Sequence, residues 1–386
     1  MGEYTSPSQV TIAKRAHRIR LFTPSDLGTD APGTFTCGRP RLPCPRETVV
    51  LDCVAYLAVG QEGRDERYWD DDYYCHRRHK RRWVNLRFQL QGQPMHEFEH
   101  AKPMGFGKSI YKGTTVALLT QHGKEKVVAP LLASAIGCQV VQVTGFDTDQ
   151  LGTFTREIPR PGTQLEAARR KARIGMELAS LPLGLASEGS FGPDPFTGMF
   201  SWNVEMIVWI DDTLGIEVVG VASGKNNFSH QLTTHWEEAE TFARTAGFPV
   251  HGVVVRPQHE DDPRIRKGIA DWETLRETFR WACGEADNGC AFLETDVRAH
   301  MNPMRMEIIA QATRDLARKL CTLCPVCNTP GFQIVENVPG LPCEDCGTPT
   351  REARADIHCC VRCGHQVTVE RPQKAAPAGG CDFCNP

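Results

Sequence analysis

The residues best suited to chemistry are cysteines. The chain has 386 residues and 17 cysteines, and ten of those cysteines lie at or after Cys321. Eight of the ten form four pairs with a two-residue gap: Cys324-x2-Cys327, Cys343-x2-Cys346, Cys360-x2-Cys363 and Cys381-x2-Cys384. Fifteen residues separate the first two pairs, and 17 separate the last two. This is the spacing of four-thiolate zinc sites. A short gap lets both sulfurs of a knuckle face one ion, and Zn²⁺ takes four sulfurs tetrahedrally. Read in chain order, the pairs predict two structural zinc ions in tandem zinc ribbons. The pairing could also interleave, with the first knuckle closing on the third. Cys321, Cys359, His358 and His365 stand nearby as spare ligands. Protein supplies every ligand of such a site, so it is closed and structural. Ribbons bind nucleic acid or protein, or simply stabilise. This tail has few basic residues, namely Arg351, Arg354, Arg362, Arg371 and Lys374.

A second set of chemically capable residues is polar and dispersed. The first cluster is Thr120-Gln-His122-Gly-Lys124, set between an apolar run and a helical one. Backbone N–H groups at a helix start favour anions, and Lys124 adds a donor. The others are Asp147-Thr-Asp149, Ser187-Glu188-Gly189 and Glu294-Thr-Asp296-Val-Arg298. Carboxylates at strand ends suit Mg²⁺, which takes hard oxygen ligands, and nearby Lys and Arg hold phosphate oxygens. Together they predict a metal-and-phosphate site that activates water. One tempting motif fails. Gly105-Phe-Gly107-Lys108-Ser109 ends like a P-loop, but Lys102 stands where the first glycine is needed.

The elements that must position these residues are legible from residue 114 onward. Residues 114–120 (TTVALLT) and 138–144 (CQVVQVT) read as strands. Between them, residues 124–136 read as a helix with Gly137 at its C-terminal cap. Thr163 and Glu166 form a capping box that opens a long helix. Residues 183–187 read as a short strand ending at Glu188. Residues 204–210 and 216–222 form a hairpin around Asp-Asp-Thr-Leu-Gly. Further helices are expected over 237–246, 271–283 and from Pro303, and strands over 250–256 and 291–295. Alternating strands and helices predict an α/β class: a mixed, partly parallel sheet with flanking helices, followed by the tandem zinc ribbon. The expected division is a poorly ordered extension over residues 1–103, an α/β domain over 104–320 and the ribbon domain over 321–386.

Composition narrows the functional classes. The net charge is −3, from 44 basic and 47 acidic residues, which excludes a globally basic nucleic-acid coat. The longest uncharged run, residues 127–146, contains Pro130, Ser134, Gly137, Gln139 and Gln142. It reads as a helix and a strand, so no membrane association is expected. The opening residues carry no apolar signal segment, which predicts a reducing, cytoplasmic compartment.

Two resemblances bear on function. The segments HGKE (122–125), FDTDQLGTFTRE (146–157), ASEGSFGP (186–193), ETDVRAHMNPMRM (294–306) and the CPVC…LPCEDCG…CDFCNP tail resemble an uncharacterised bacterial domain-of-unknown-function family over residues 111–386. That resemblance implies a bacterial, cytoplasmic setting and no established activity. The order of elements is also similar to that of the inosine/xanthosine triphosphate pyrophosphatases. Thr120-x-His122-x-Lys124 stands where their first loop would be, Ala168-x-x-Lys171-Ala172 matches their helix motif, and Glu188-Gly189 matches their acidic motif. The resemblance implies that Lys124 and Lys171 hold phosphates, and that Glu188 binds Mg²⁺ or positions water. His122 replaces an asparagine of that family, and Lys124 comes one residue early.

The leading expectation is a Mg²⁺-dependent hydrolase of a nucleotide or another phosphate-bearing small molecule. Glu188, Lys124, Lys171 and Asp296 are the expected catalytic residues, and His122, Asp147, Asp149 and Arg298 the binding ones. The rival is a non-catalytic adaptor whose zinc ribbons bind nucleic acid or protein.

Overall fold

The computed structural model describes residues 109–152, 158 and 162–385. The expectation for residues 1–103 lies outside these residues. Five strands form the main sheet in the order β2-β1-β3-β4-β5. They are β1 (Thr115–Leu119), β2 (Gln139–Val143), β3 (Leu183–Pro193), β4 (Ser201–Asp211) and β5 (Ile216–Lys225). β1 runs parallel to β2 and β3, whereas β3, β4 and β5 are antiparallel neighbours. The sheet is therefore mixed and partly parallel.

Three helices sandwich it. α1 (Glu125–Ile136) and α5 (Pro303–Cys321) bury Val128, Leu132, Ile309 and Leu316 against Leu118, Leu185, Ile207 and Trp209 on one face. α2 (Gln164–Ala179) buries Leu165, Ala168 and Met176 against Ala186, Met206 and Val208 on the other. Each helix has its apolar stripe at three- and four-residue spacing, which is what a one-sided contact requires. α5 lies close on the sheet because Gly220 has no side chain. A Cβ there would come within 2.6 Å of Leu316 Cβ.

The local signals behave as their chemistry demands. Gly137 caps α1 in the left-handed region, at φ 74°. The capping box of Thr163 and Glu166 opens α2. Asn302 caps α5, accepting from Arg305 N at 2.9 Å, and Pro303 takes the first turn.

The structure lengthens one strand. The sequence ends a strand at Glu188, but β3 continues to Pro193, in register with β4 from Leu183↔Asp211 to Pro193↔Ser201. Glu188 therefore lies within a strand. Ladder hydrogen bonds outweigh the poor strand propensity of Ser, Glu and Gly here.

A second sheet follows β5. Its order is β6-β9-β7-β8, from β6 (His230–Thr233), β7 (Val253–Pro257), β8 (Arg266–Ile269) and β9 (Ala291–Thr295). All its pairings are antiparallel. α3 (Trp236–Thr245) and α4 (Trp272–Glu285) close a separate core with it, around Val253, Leu275, Phe279 and Leu293. The connections back to the main sheet are fastened by Asn302 Nδ2 donating to Asn227 Oδ1 at 2.9 Å and by Thr295 Oγ1 donating to Asn227 O at 2.9 Å.

The tail is a three-stranded antiparallel sheet, β10 (Phe332–Pro339), β11 (Ala353–Cys360) and β12 (Gln366–Glu370). Its root is packed onto the main core. Gly331 N donates to Lys319 O and Thr322 O, and Val361 packs against the main apolar cluster. Among the described residues, no helix is long and apolar enough to cross a membrane.

Candidate functional site

The cysteines form two quartets. Cys324, Cys327, Cys360 and Cys363 gather at one end of the tail sheet, and Cys343, Cys346, Cys381 and Cys384 at the other. The pairing is thus crossed, first knuckle with third and second with fourth, in place of the chain-order pairing. Strand direction dictates this. In an antiparallel hairpin, the residues before β10 lie beside those after β11. The residues after β10 share the opposite end with those after β12.

The donor set fits zinc. Within each quartet the ligand atoms lie within 4.8 Å of one another. Neighbouring sulfurs are 3.5–3.9 Å apart. Tetrahedral Zn–S bonds of about 2.3 Å demand S–S separations of about 3.8 Å. Every knuckle has the same turn, in which the residue after the second cysteine donates to the carbonyl of the first. Asn328, Gly347, Gly364 and Asn385 are those donors, at 2.9–3.1 Å. Three of them, Asn328, Gly347 and Gly364, have positive φ, which is why Gly or Asn stands there. Hydrogen bonding with the Thr329 and Thr348 hydroxyls leads in pulling the Cys327 and Cys346 thiols down to about 6, whereas burial pushes Cys360 up to about 12 and hydrogen bonding with Cys346 pushes Cys384 up to about 12. The spare residues stay outside. Cys321 Sγ points at Ala135 O, and the His358 and His365 rings stack on Phe332.

The polar residues meet where β1 and β3 lie side by side. The chain leaves β1 through α1 on one face and reaches β3 through α2 on the other. A crevice at the C-terminal ends of such strands is where open α/β sheets place ligands. Lys124, at the head of α1, reaches the edge of β3. Its Nζ donates to Ser187 O at 2.9 Å and to Ser187 Oγ at 3.3 Å. Successive residues of a strand face opposite sides. Glu188 looks toward α2, where it forms a buried ion pair with Lys171. Ser187 and Gly189 look toward α5. On that side Arg305 Nε donates to Glu205 Oε1 at 2.7 Å, and both residues are fully buried. Lys124 lies between the two pairs. Burial, reinforced by the Arg305 and Lys171 charges, pulls its ammonium down to about 7, while Glu205 and Glu188 oppose the shift.

His122 and His300 stack at 5.2 Å beside this arrangement. Burial and the neighbouring cations, Lys124 first, push His122 down to about 3, so its imidazole is neutral at physiological pH. The first turn of α2 contributes Gln164, whose Nε2 donates to Glu188 O at 2.7 Å and to Val204 O at 3.0 Å.

The structure thus brings Lys124, Lys171, Glu188 and His122 into one neighbourhood. Asp296 and Arg298 sit at its margin, joined to each other, with Asp296 also accepting from Gly268 N at 3.2 Å. Asp147 caps the short turn Thr148–Leu151, accepting from Asp149 N. The structure records no contact joining Asp147 or Asp149 to this cluster. Sequence reasoning missed Glu205 and Asn203, which stand inside the apolar strand β4, and gave Arg305 no role. A charged residue within Trp-Asn-Val-Glu-Met-Ile-Val-Trp-Ile was the available signal. Among the described residues, only the cysteine quartets gather three or more ligand side chains around one point, so the carboxylates form no protein cage for Mg²⁺.

The model of the family described as "Domain of unknown function (DUF6671)" matches residues 171–386, and the chain belongs to that family. The matched span opens inside α2 and leaves β1, α1 and β2 outside it. A comparison with curated proteins finds no match.

Proposed function

We propose that this chain is a hydrolase of a phosphate-bearing small molecule, a nucleotide foremost, with its reaction centre at Lys124, Lys171 and Glu188. One observation carries the reading: residues from three separated motifs meet at the switch point between β1 and β3. The heads of α1, α2 and α5 lie close by, through Lys124, Gln164 and Arg305, and their N–H groups favour anions. Lys124 and Lys171 bind phosphate oxygens, and Glu188 orients the attacking water and accepts its proton. Mg²⁺ carried by the substrate phosphates would supply charge neutralisation at the phosphoanhydride, with Lys124 and Lys171 holding the phosphate oxygens. The cysteine quartets hold one structural zinc each, and the setting is a reducing bacterial cytoplasm, which keeps thiols free.

The test is a screen of nucleoside triphosphates with Mg²⁺. Glu188→Gln is expected to lower kcat by about a hundredfold or more, within the range for a general base. Equal turnover in the variant, or none with any substrate, removes the hydrolase reading. The adaptor reading has one observation in its favour: Val326 and Phe383, the middle residues of two knuckles, are 66% and 73% exposed. It gains if the screen is silent.

A further inference from the structure

We propose that Glu205 is a positioning residue for Lys124, acting through the Ser187 hydroxyl; this deepens the anion-binding reading above and rests on it. The hydrogen bonds run one way. Lys124 Nζ donates to Ser187 Oγ at 3.3 Å, and Ser187 Oγ donates onward to Glu205 Oε2 at 3.4 Å. The other carboxylate oxygen of Glu205 takes Arg305 Nε at 2.7 Å and Asn203 Nδ2 at 3.2 Å. Arg305 is fixed in turn by its own bond to Val297 O at 2.6 Å. A lysine ammonium has three donors. Ser187 takes two of them, through its carbonyl and its hydroxyl, which orients the third for a phosphate oxygen.

Two further features support the chain of bonds. Gly189 lies opposite Glu205 in the ladder, and a Cβ there would overlap the Glu205 carboxylate and the Arg305 guanidinium. The glycine therefore makes room for the pair. In addition, a buried ion pair contributes little net stability compared with well-packed apolar residues, so stability does not account for its presence. Aiming a catalytic cation does.

The experiment measures binding of inorganic tripolyphosphate to the full chain by calorimetry, in a double-mutant cycle of Ser187→Ala and Lys124→Ala. Ser187→Ala leaves the Glu205–Arg305 pair intact, so it tests the relay even if Glu205→Gln does not fold. It is expected to weaken binding about tenfold, the size of one hydrogen bond to a charged group, in a chain that remains folded. Ser187→Thr, which keeps the hydroxyl, should restore binding. In the Lys124→Ala background, Ser187→Ala should have no further effect, because both act through one cation. The proposal is overturned if Ser187→Ala binds like the unaltered chain, or if its loss is equally large without Lys124. Absence of tripolyphosphate binding by the unaltered chain overturns it together with the anion site. Binding without hydrolysis of any nucleotide sinks only the hydrolase, and the cycle still decides the relay.

Discussion

The cysteine quartets and the buried ionic cluster solve the same problem in opposite ways. Both gather side chains from distant parts of the chain. Each quartet does so with four identical ligands on repeated turns, in a geometry that fits a metal ion. The cluster uses Lys124, Lys171, Glu188, Glu205 and Arg305, three side-chain types with each residue from a different element. A quartet strengthens the region that carries it, because metal affinity becomes folding energy. The cluster burdens the core with charges that must be paired. The cysteine quartets and the buried charges thus occupy separate places.

This contrast can be broken by experiment. The largest effect should come from the metal. Structural zinc supplies about 10–16 kcal/mol of apparent binding energy at neutral pH, so a strong chelator should unfold the tail. Elemental analysis should give two zinc ions per chain, falling to one in Cys343→Ser. Unfolding of the main core should respond more to Cys324→Ser, because the first quartet is rooted on α5 and β5 through Gly331 and Val361.

The cluster should show the reverse behaviour. Arg305→Leu leaves Glu205 buried without its countercharge and should cost about 3–5 kcal/mol in urea unfolding. Replacing both partners by apolar residues should recover most of that loss. If Arg305→Leu is neutral, the two regions do not differ as described. The smallest effect is expected at Asn302, which caps α5 and also bonds to Asn227. Asn302→Ala should cost about 1–2 kcal/mol, measurable as a shift in the urea midpoint.

The same contrast explains what the sequence discloses. A CxxC knuckle is a local object, so its ligands are read directly from spacing. Crossing of the quartets is not local. It follows from the direction of β10, β11 and β12, which spacing alone does not encode. For the ionic cluster, Lys124, Lys171 and Glu188 were legible because each sits in a recognisable local setting: a helix start, a helix motif, the end of an apolar run. Glu205 was not, because its meaning depends on standing opposite Gly189, a fact of register between two strands. β6 and β8 escaped notice because each is only four residues long. The capping box of α2 and the αL glycine of α1 were legible because their chemistry is completed within a few residues.

Crossed knuckles also constrain how the protein can be made. As the chain leaves the ribosome, Cys324 and Cys327 must wait with open valences until residue 363 has emerged. Cys343 and Cys346 wait until residue 384. Until residue 363 has emerged two half-built claws coexist, and a wrong partner is always nearer along the chain than the right one. Correct assembly therefore relies on the three strands zipping before any ion is captured irreversibly.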